Sequence, residues 1–378
     1  MNRELGLRVL SGIMGWGTDK AHLEFQRLQL MASLKYDAYR DFEAGVRFVE
    51  SLASWLQQFE LSERETAYEL VMNRLVYIGP PEMEKLVGQF YSKFVHPETL
   101  ATVARELDLP RYSLLTNSRA QQRVSTIRRK SLFLGLSDGA RVDFIRHQNV
   151  GLISNEQVVG FTQIDDAKWK DLLCELRKDL KSSQATFGSV YLIDDFAGTG
   201  TSFFRLHGGE VKGKLARFAR SVARAQESLG ARIFDPNYKI RIHHYVGTTK
   251  ARDELTERLT SARTTLDELK LPEDIKTSYG LILPASMPLA PENNDDLGFL
   301  RLADRYYDHS IHTRHTEQGG TRDMKRGYGG CALPLVLGHN TPNNSMPLLW
   351  AETAGGVGPD GESVPAMRPL FRRRQRHT

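Results

Sequence analysis

Val190-Tyr191-Leu192-Ile193-Asp194-Asp195-Phe196-Ala197-Gly198-Thr199-Gly200-Thr201-Ser202 runs from an apolar stretch through two adjacent acids into a turn of glycines and hydroxyls. Each part has a physical use. The apolar run predicts a buried strand bounded by a turn. Glycines let the backbone turn tightly and bring its N–H groups close to an anion. Successive N–H groups in such a turn form a nest for phosphate. Thr199, Thr201 and Ser202 add hydroxyl donors. Two neighbouring carboxylates at the end of a buried strand repel each other, so something cationic or hydroxyl-rich must meet them.

Around this stretch lie other short apolar runs: Ser131–Leu136, Ile240–Val246, Tyr279–Leu283 and Leu333–Leu337. Amphipathic helical patterns separate several of them. Trp169, Leu172, Leu173, Leu176 and Leu180 form one stripe, and Leu215, Phe218, Ala219, Val222 and Leu229 most of another. Alternating strands and helices predict an α/β fold with a mainly parallel sheet flanked by helices. Ligands of such sheets bind at the carboxyl ends of the strands. Upstream the pattern is helical. Residues 22–58 carry apolar periodicity, Ser62 and Glu65 have capping-box spacing, and Met83 to Phe94 keep helical spacing after Pro80-Pro81. The predicted organisation is an α-helical N-terminal region over 1–124, an α/β domain over 125–350, and a loose basic tail over 351–378.

A ribose carrying a 5-phosphate satisfies the central stretch: the diol meets the acids and the phosphate meets the turn, with Mg2+ nearby. Other phosphate motifs fit less well. A Walker loop needs Lys after its last glycine, and Thr201 follows Gly200; a dinucleotide fingerprint needs a third glycine where Phe203 stands. Asp194-Asp195, three residues, Thr199-Gly200, one residue and Ser202 resemble the phosphoribosyl pyrophosphate (PRPP) signature of type I phosphoribosyltransferases. Thr201 departs from that signature, since many members carry a second glycine there. The resemblance implies that Asp194 and Asp195 hold the ribose hydroxyls and that Gly198, Thr199, Gly200, Thr201 and Ser202 hold the 5-phosphate. It also implies a pyrophosphate loop after an earlier strand, for which Ser137, Asp138, Gly139 and Arg141 follow Leu136. A plain turn with a surface arginine is the equal alternative there. Mg2+ is implied as a substrate-bound ion, and no metal-ligating set of side chains is read from the chain. The polar stretch after Arg146-His147-Gln148-Asn149 is read as a lid.

Near the C-terminus, Gly327-Tyr328-Gly329-Gly330 and His339-Asn340-Thr341-Pro342-Asn343-Asn344 form a second unusual pair. With the central loop, they resemble phosphoribosyltransferase-like proteins of prokaryotic conflict systems, some of which look like retron accessory proteins beside a reverse transcriptase and its nucleic acid. His339 and Asn340 are the base-binding candidates, whereas Asn343 and Asn344 read as a turn joining two strands. His309, His312 and His315 recur every three residues, without an obvious carboxylate or cysteine to complete a metal site.

The whole chain has 378 residues, 40% hydrophobic and 26% charged, which excludes wholesale disorder and permits a large core. Two cysteines, Cys174 and Cys331, exclude a disulfide framework. No run of about 18 apolar residues occurs, so no transmembrane helix and a cytoplasmic location are expected. The net charge of +5 equals the five arginines among residues 368–378, leaving the remainder formally neutral. Arg252–Arg258 reads as a solvated helix face. The resemblance implies two functions. One is a pentosyltransferase that binds PRPP or a nucleotide and exchanges pyrophosphate for a nitrogen base at C1, within an anti-phage system. The other is a non-catalytic nucleotide sensor or scaffold. The oligomeric state is left open.

Overall fold

The computed structural model describes residues 3–40, 42, 46–161, 164–207, 210–358, 361 and 363–373. In chain order, the first elements are helices α1 (Arg3–Met14), α2 (Thr18–Leu34), α3 (Phe48–Leu56) and α4 (Arg64–Asn73), then strand β1 (Val76–Ile78). Helices α5 (Pro80–Phe90), α6 (His96–Leu107) and α7 (Ser118–Arg129) lead to β2 (Ser131–Gly135), α8 (Val142–Gln148), β3 (Val158–Gly160) and α9 (Asp166–Asp179). The long strand β4 (Phe187–Ala197) is followed by the short strands β5 (Arg205–His207) and β6 (Glu210–Lys212), then α10 (Lys214–Leu229). Next come β7 (Phe234–Thr248), α11 (Thr249–Ser261), α12 (Arg263–Glu268), β8 (Ile275–Leu283) and α13 (Asn294–Arg305). The chain ends with α14 (Arg314–Glu317), β9 (Leu335–Leu337), α15 (Pro347–Trp350), β10 (Gly356–Val357) and β11 (Ser363–Val364). The described residues contain no helix long and apolar enough to cross a membrane.

Two compact units result, one of residues 1–82 with 285–378 and one of residues 83–284. They differ from a partition at residues 124 and 350. The second unit carries a five-stranded sheet in the order β3-β2-β4-β7-β8, with every neighbouring pair parallel. The fold is therefore the α/β class that the strand and helix pattern predicts. Both faces of the central strands β2 and β4 are covered, which is why these read as continuous apolar runs rather than alternating ones. One face packs Val190, Leu192, Ile240 and Ile242 against Trp169, Leu173, Leu215 and Phe218 of α9 and α10. On the other, Phe90 of α5 lies against Phe133, Tyr191 and His243, with ring centroids 6.1, 5.8 and 4.6 Å away.

Strand order has a direct consequence. From β2 the chain moves outward to β3, then crosses back to β4 on the other side of β2. The exits of β2 and β4 therefore diverge and leave a crevice at the carboxyl edge, where open parallel sheets hold ligands.

Several sequence expectations change. Leu333–Leu337 does not join the main sheet; Leu335–Leu337 pairs in parallel with Val76–Ile78 in the first unit, beside helices that supply its cover. Ser62 does not cap a helix. Helix α4 begins at Arg64, and Glu65 accepts from Trp16 Nε1 (3.2 Å) and Lys20 Nζ (2.8 Å). The stretch after Asn149 read as a lid contains β3, with Gln157 Nε2 donating to the Ser131 carbonyl at 2.7 Å. The tail expected to be loose is anchored. Met367, Leu370 and Phe371 are buried, and the Phe371 ring stacks on Phe42 and Phe48 at 5.8 and 5.7 Å. Leu370 and Phe371 amides both donate to the Leu349 carbonyl, at 3.0 and 2.8 Å. Apolar side chains among the arginines overrule the charge. Arg374 and Arg376 lie outside the described residues.

Phe371→Ala should lower unfolding free energy by about 3–5 kcal/mol, the range for deleting a buried phenyl ring. Urea denaturation measures it, and a change within about 0.5 kcal/mol, as at an ordinary surface position, would contradict the packed C-terminus.

Candidate functional site

Strand β4 ends inside the stretch that decides the fold. Asp194 is 2% exposed, and Asp195 is half-buried. In register, Asp194 stands beside His244 of β7. Ser137, just past β2, donates its hydroxyl to Asp194 Oδ1 at 2.5 Å and lies 3.5 Å from Asp195 Oδ1. Lys214, the first residue of α10, donates Nζ to Asp194 Oδ2. Burial lifts the Asp194 carboxyl above its usual range against the pull of Lys214, and Asp195 pushes in the same direction as burial. Both Asp194 oxygens thus have internal partners, and the two acids are not equivalent.

The β2 exit approaches Asp195 closely. A methyl group at Gly139 would overlap the Asp195 carboxylate, so glycine is required by space rather than by dihedral angle. The Ala140 amide donates to the Ser137 carbonyl at 3.1 Å, and the Ala140 carbonyl accepts the Tyr245 hydroxyl at 2.8 Å. Arg141 adopts φ 48°, a left-handed conformation costing a non-glycine residue roughly 1–3 kcal/mol. Of the four residues read as a pyrophosphate loop, Ser137 and Gly139 meet the acids, Arg141 is half-buried, and Asp138 is exposed.

The glycine-threonine turn is held by its carbonyls. Gly198 O accepts from Thr248 Oγ1 (2.7 Å), Thr199 O from Arg258 Nη1 (2.9 Å) and Thr201 O from Arg205 Nη1 (3.2 Å). Gly200 O accepts the amides of Phe203 and Phe204 at 3.0 and 3.1 Å, and Ser202 O that of Lys214 at 3.1 Å. Gly200 sits at φ 68°, where glycine is at ease, and an added Cβ would crowd Leu255 at 3.1 Å. By contrast, the amides of Thr199, Gly200 and Ser202 have no acceptor among the described residues. Thr199 and Thr201 hydroxyls lie 2.8 Å apart. The turn therefore has its carbonyls engaged by protein donors and three amides that are not engaged within the described residues.

Residue-level reading missed Lys214, Tyr245, Thr248 and Arg258. Lys214 marks the start of a strongly amphipathic helix, a weak signal. Arg258 corrects the solvated-face reading of Arg252–Arg258, because its guanidinium reaches back to the Thr199 carbonyl as well as pairing with Glu254. His243 and His244 are both buried, and burial pushes each imidazole down to about 3. Its neighbour His244 further lowers His243, while Lys214 lowers His244.

His339 and Asn340 belong to the first unit, in a turn after β9 where Leu337 and Asn340 exchange backbone hydrogen bonds at 3.2 and 2.9 Å. Nearby, Asn344 Nδ2 donates to the Tyr328 carbonyl at 2.9 Å, and the Tyr328 amide donates to the Asn343 carbonyl at 2.7 Å. Gly327, Gly329 and Gly330 all have positive φ, and a side chain at Gly327 would strike the Asn344 and Ser345 carbonyls. The second motif pair is thus a self-locked turn. Among the described residues, no group of three or more His, Cys, Asp or Glu side chains is arranged for a metal ion, which includes the histidines at 309 and 312; the side chain of His315 lies outside the described set.

No curated protein and no solved structure matches this chain. One family model, described as PRTase-CE, matches residues 52–373 and so spans both compact units.

The buried ion pair gives a first expectation. Lys214→Met strands Asp194 and should cost about 3–5 kcal/mol, with the Asp194→Leu/Lys214→Met double variant recovering most of it. Equal stability of single and wild-type chains in urea would refute the pairing. The histidines give a second. Unfolded imidazoles protonate near 6.5 and these only near 3, so the unfolded state gains protons first as pH falls. Their contribution is complete above pH 6.5 and declines toward pH 3, by about 1.4 kcal/mol per unit for each histidine. His244→Gln should flatten the stability slope between pH 6.5 and 5; an unchanged slope counts against a buried neutral ring.

Proposed function

The chain belongs to the PRTase-CE family and is phosphoribosyltransferase-like, and on that premise we propose that its β2/β4 crevice binds PRPP or a nucleotide. The observation carrying this reading is the turn at 198–202, whose carbonyls are engaged by protein donors while three amides are left for an anion. The 5-phosphate is assigned to that turn. Asp195 is the acid assigned to the ribose diol, since Asp194 is engaged by Ser137 and Lys214. Ser137, Gly139 and Arg141 are assigned to the pyrophosphate side. In the transfer, the C1–oxygen bond to pyrophosphate breaks and a bond from C1 to a nitrogen nucleophile forms; pyrophosphorolysis is the reverse. The oxocarbenium-like transition state is met by positioning and fixed charge. Mg2+ enters as the ion carried by the pyrophosphate, as the resemblance to type I phosphoribosyltransferases implies.

A second reading is favoured by one observation: Lys214 holds Asp194 in an internal ion pair, so the pair of acids does not face a ligand as two equal acceptors. In this reading the crevice senses a nucleotide without turnover. A role in anti-phage defence, with a reverse transcriptase and nucleic acid as partners, is part of the proposal and rests on the likeness of the two motif pairs. His339 and Asn340 as base contacts have the same standing.

Calorimetric titration with PRPP and Mg2+, beside a pyrophosphate-release assay over nucleobases, separates these readings. We expect PRPP to bind and Asp195→Asn to weaken it by about tenfold or more, the loss of one charge-assisted contact. Binding with no pyrophosphate released from any base selects the sensor. Absence of binding by PRPP and by every nucleotide tested removes both.

A further inference from the structure

The opposite part of the same sheet holds a second feature. Lys239 of β7 pairs in register with Ser189, five residues before Asp194 on β4, hence roughly 16 Å along the strand from the candidate site. There, helix α6 leaves a cavity of about 320 Å3 against the sheet, and an adjoining one of about 200 Å3 shares Glu98, Thr102, Tyr191 and Lys239 with it. The larger cavity is bordered by Arg105, Lys239, Arg241 and Lys276 against only Glu98 and Asp274, two positive charges in excess.

Both acids are held by one buried arginine. Arg241 is 6% exposed. It donates to Glu98 Oε1 from Nε and Nη2 at 2.7 and 2.5 Å, and to Asp274 Oδ1 and Oδ2 at 2.9 Å each. Its Nη1 also reaches the carbonyls of Ile240 and Asp274 at 3.0 and 3.1 Å. In the adjoining cavity, Glu106 pairs with Arg123 and Asp235 with Lys130. Lys239 donates to the Thr102 hydroxyl at 3.2 Å, and neither Lys239 nor Arg105 has an ion-pair partner among the described residues. Lys276 is 70% exposed and 3.9 Å from Asp274.

We propose that this trough is a second ligand site, taking a small phosphate monoester of about nucleoside-monophosphate size. The phosphate sits among Lys239, Arg105 and Lys276, with the Thr102 hydroxyl as a further donor. The organic part lies against Phe94. A volume near 320 Å3 is at the small end of ligand pockets and suits such a molecule. Arg241 is the fixed floor: it holds Glu98 and Asp274 in place and offsets one of their two charges, so the three cations above them prevail. The inference is independent of what the crevice at the other end of the strands binds.

The full-length chain is titrated calorimetrically with inorganic phosphate and with AMP. Lys239→Gln and Lys276→Gln should each weaken AMP binding by about tenfold, as loss of one charge-assisted contact does, whereas Asp195→Asn should leave that binding event in place. Lys276 is exposed, so its variant tests the site without threatening the fold. AMP binding that survives both lysine variants and disappears in Asp195→Asn would place the ligand in the crevice and overturn the proposal. So would binding of neither probe at millimolar concentration. Displacement of AMP by a short single-stranded oligonucleotide, with the same lysine dependence, would make the trough part of a nucleic-acid surface instead.

Discussion

A carboxylate with almost no access to water ties the second unit together. Asp194 takes the hydroxyl of Ser137 from the β2 exit and the ammonium of Lys214 from the start of α10, while itself belonging to β4. Three segments far apart in sequence converge on two oxygens. Burying such a charge is tolerated only when its partners are close and fixed. The arrangement therefore sets the crevice wall, the direction of α10 and the exit of the glycine turn together. It also makes the neighbouring acids unequal: Asp194 has partners on both oxygens within the unit, and Asp195 lies against Gly139.

Much of this was legible in the residues. The apolar runs at 131–136 and 189–193 mark strands because the centre of a parallel sheet covered on both faces demands continuous apolar side chains, whereas the run at 279–283 lies on the half-exposed edge strand β8. The glycine-threonine turn was equally plain, since few structural needs place Gly198, Thr199 and Gly200 after two acids. Other features could not be read locally. Strand β3 has only three residues and is defined by its pairing with β2. Val76–Ile78 is a strand only because Leu335–Leu337, some 260 positions later, runs alongside it. Arg258 looked like one charge among several on a helix face, and only folding shows which one reaches the Thr199 carbonyl. Phe371 was hidden by the arginines beside it.

The second motif pair shows how a residue pattern can be genuine and yet structural. Asn343 and Asn344 hold the Gly-Tyr-Gly-Gly turn by one backbone and one side-chain hydrogen bond, and the glycines are where positive φ and close carbonyls demand them. That accounts for the pattern without any ligand. His339 and Asn340 lie in a separate turn, closed by the paired backbone hydrogen bonds between Leu337 and Asn340.

The short ribbon of β5 and β6 lies between the glycine turn and α10. The amides of Lys214 and Leu215 return to the carbonyls of Ser202 and Phe203 at 3.1 Å, and Gly213, at φ 111°, lets the backbones touch there. The excursion is thus sealed at its base. Extra residues inserted between its two strands would lengthen a loop whose mouth is already closed, and each doubling of such a loop costs only about 0.6 kcal/mol. The ribbon is a natural port of entry, where a tag or a whole domain could be grafted without disturbing the grip on α10.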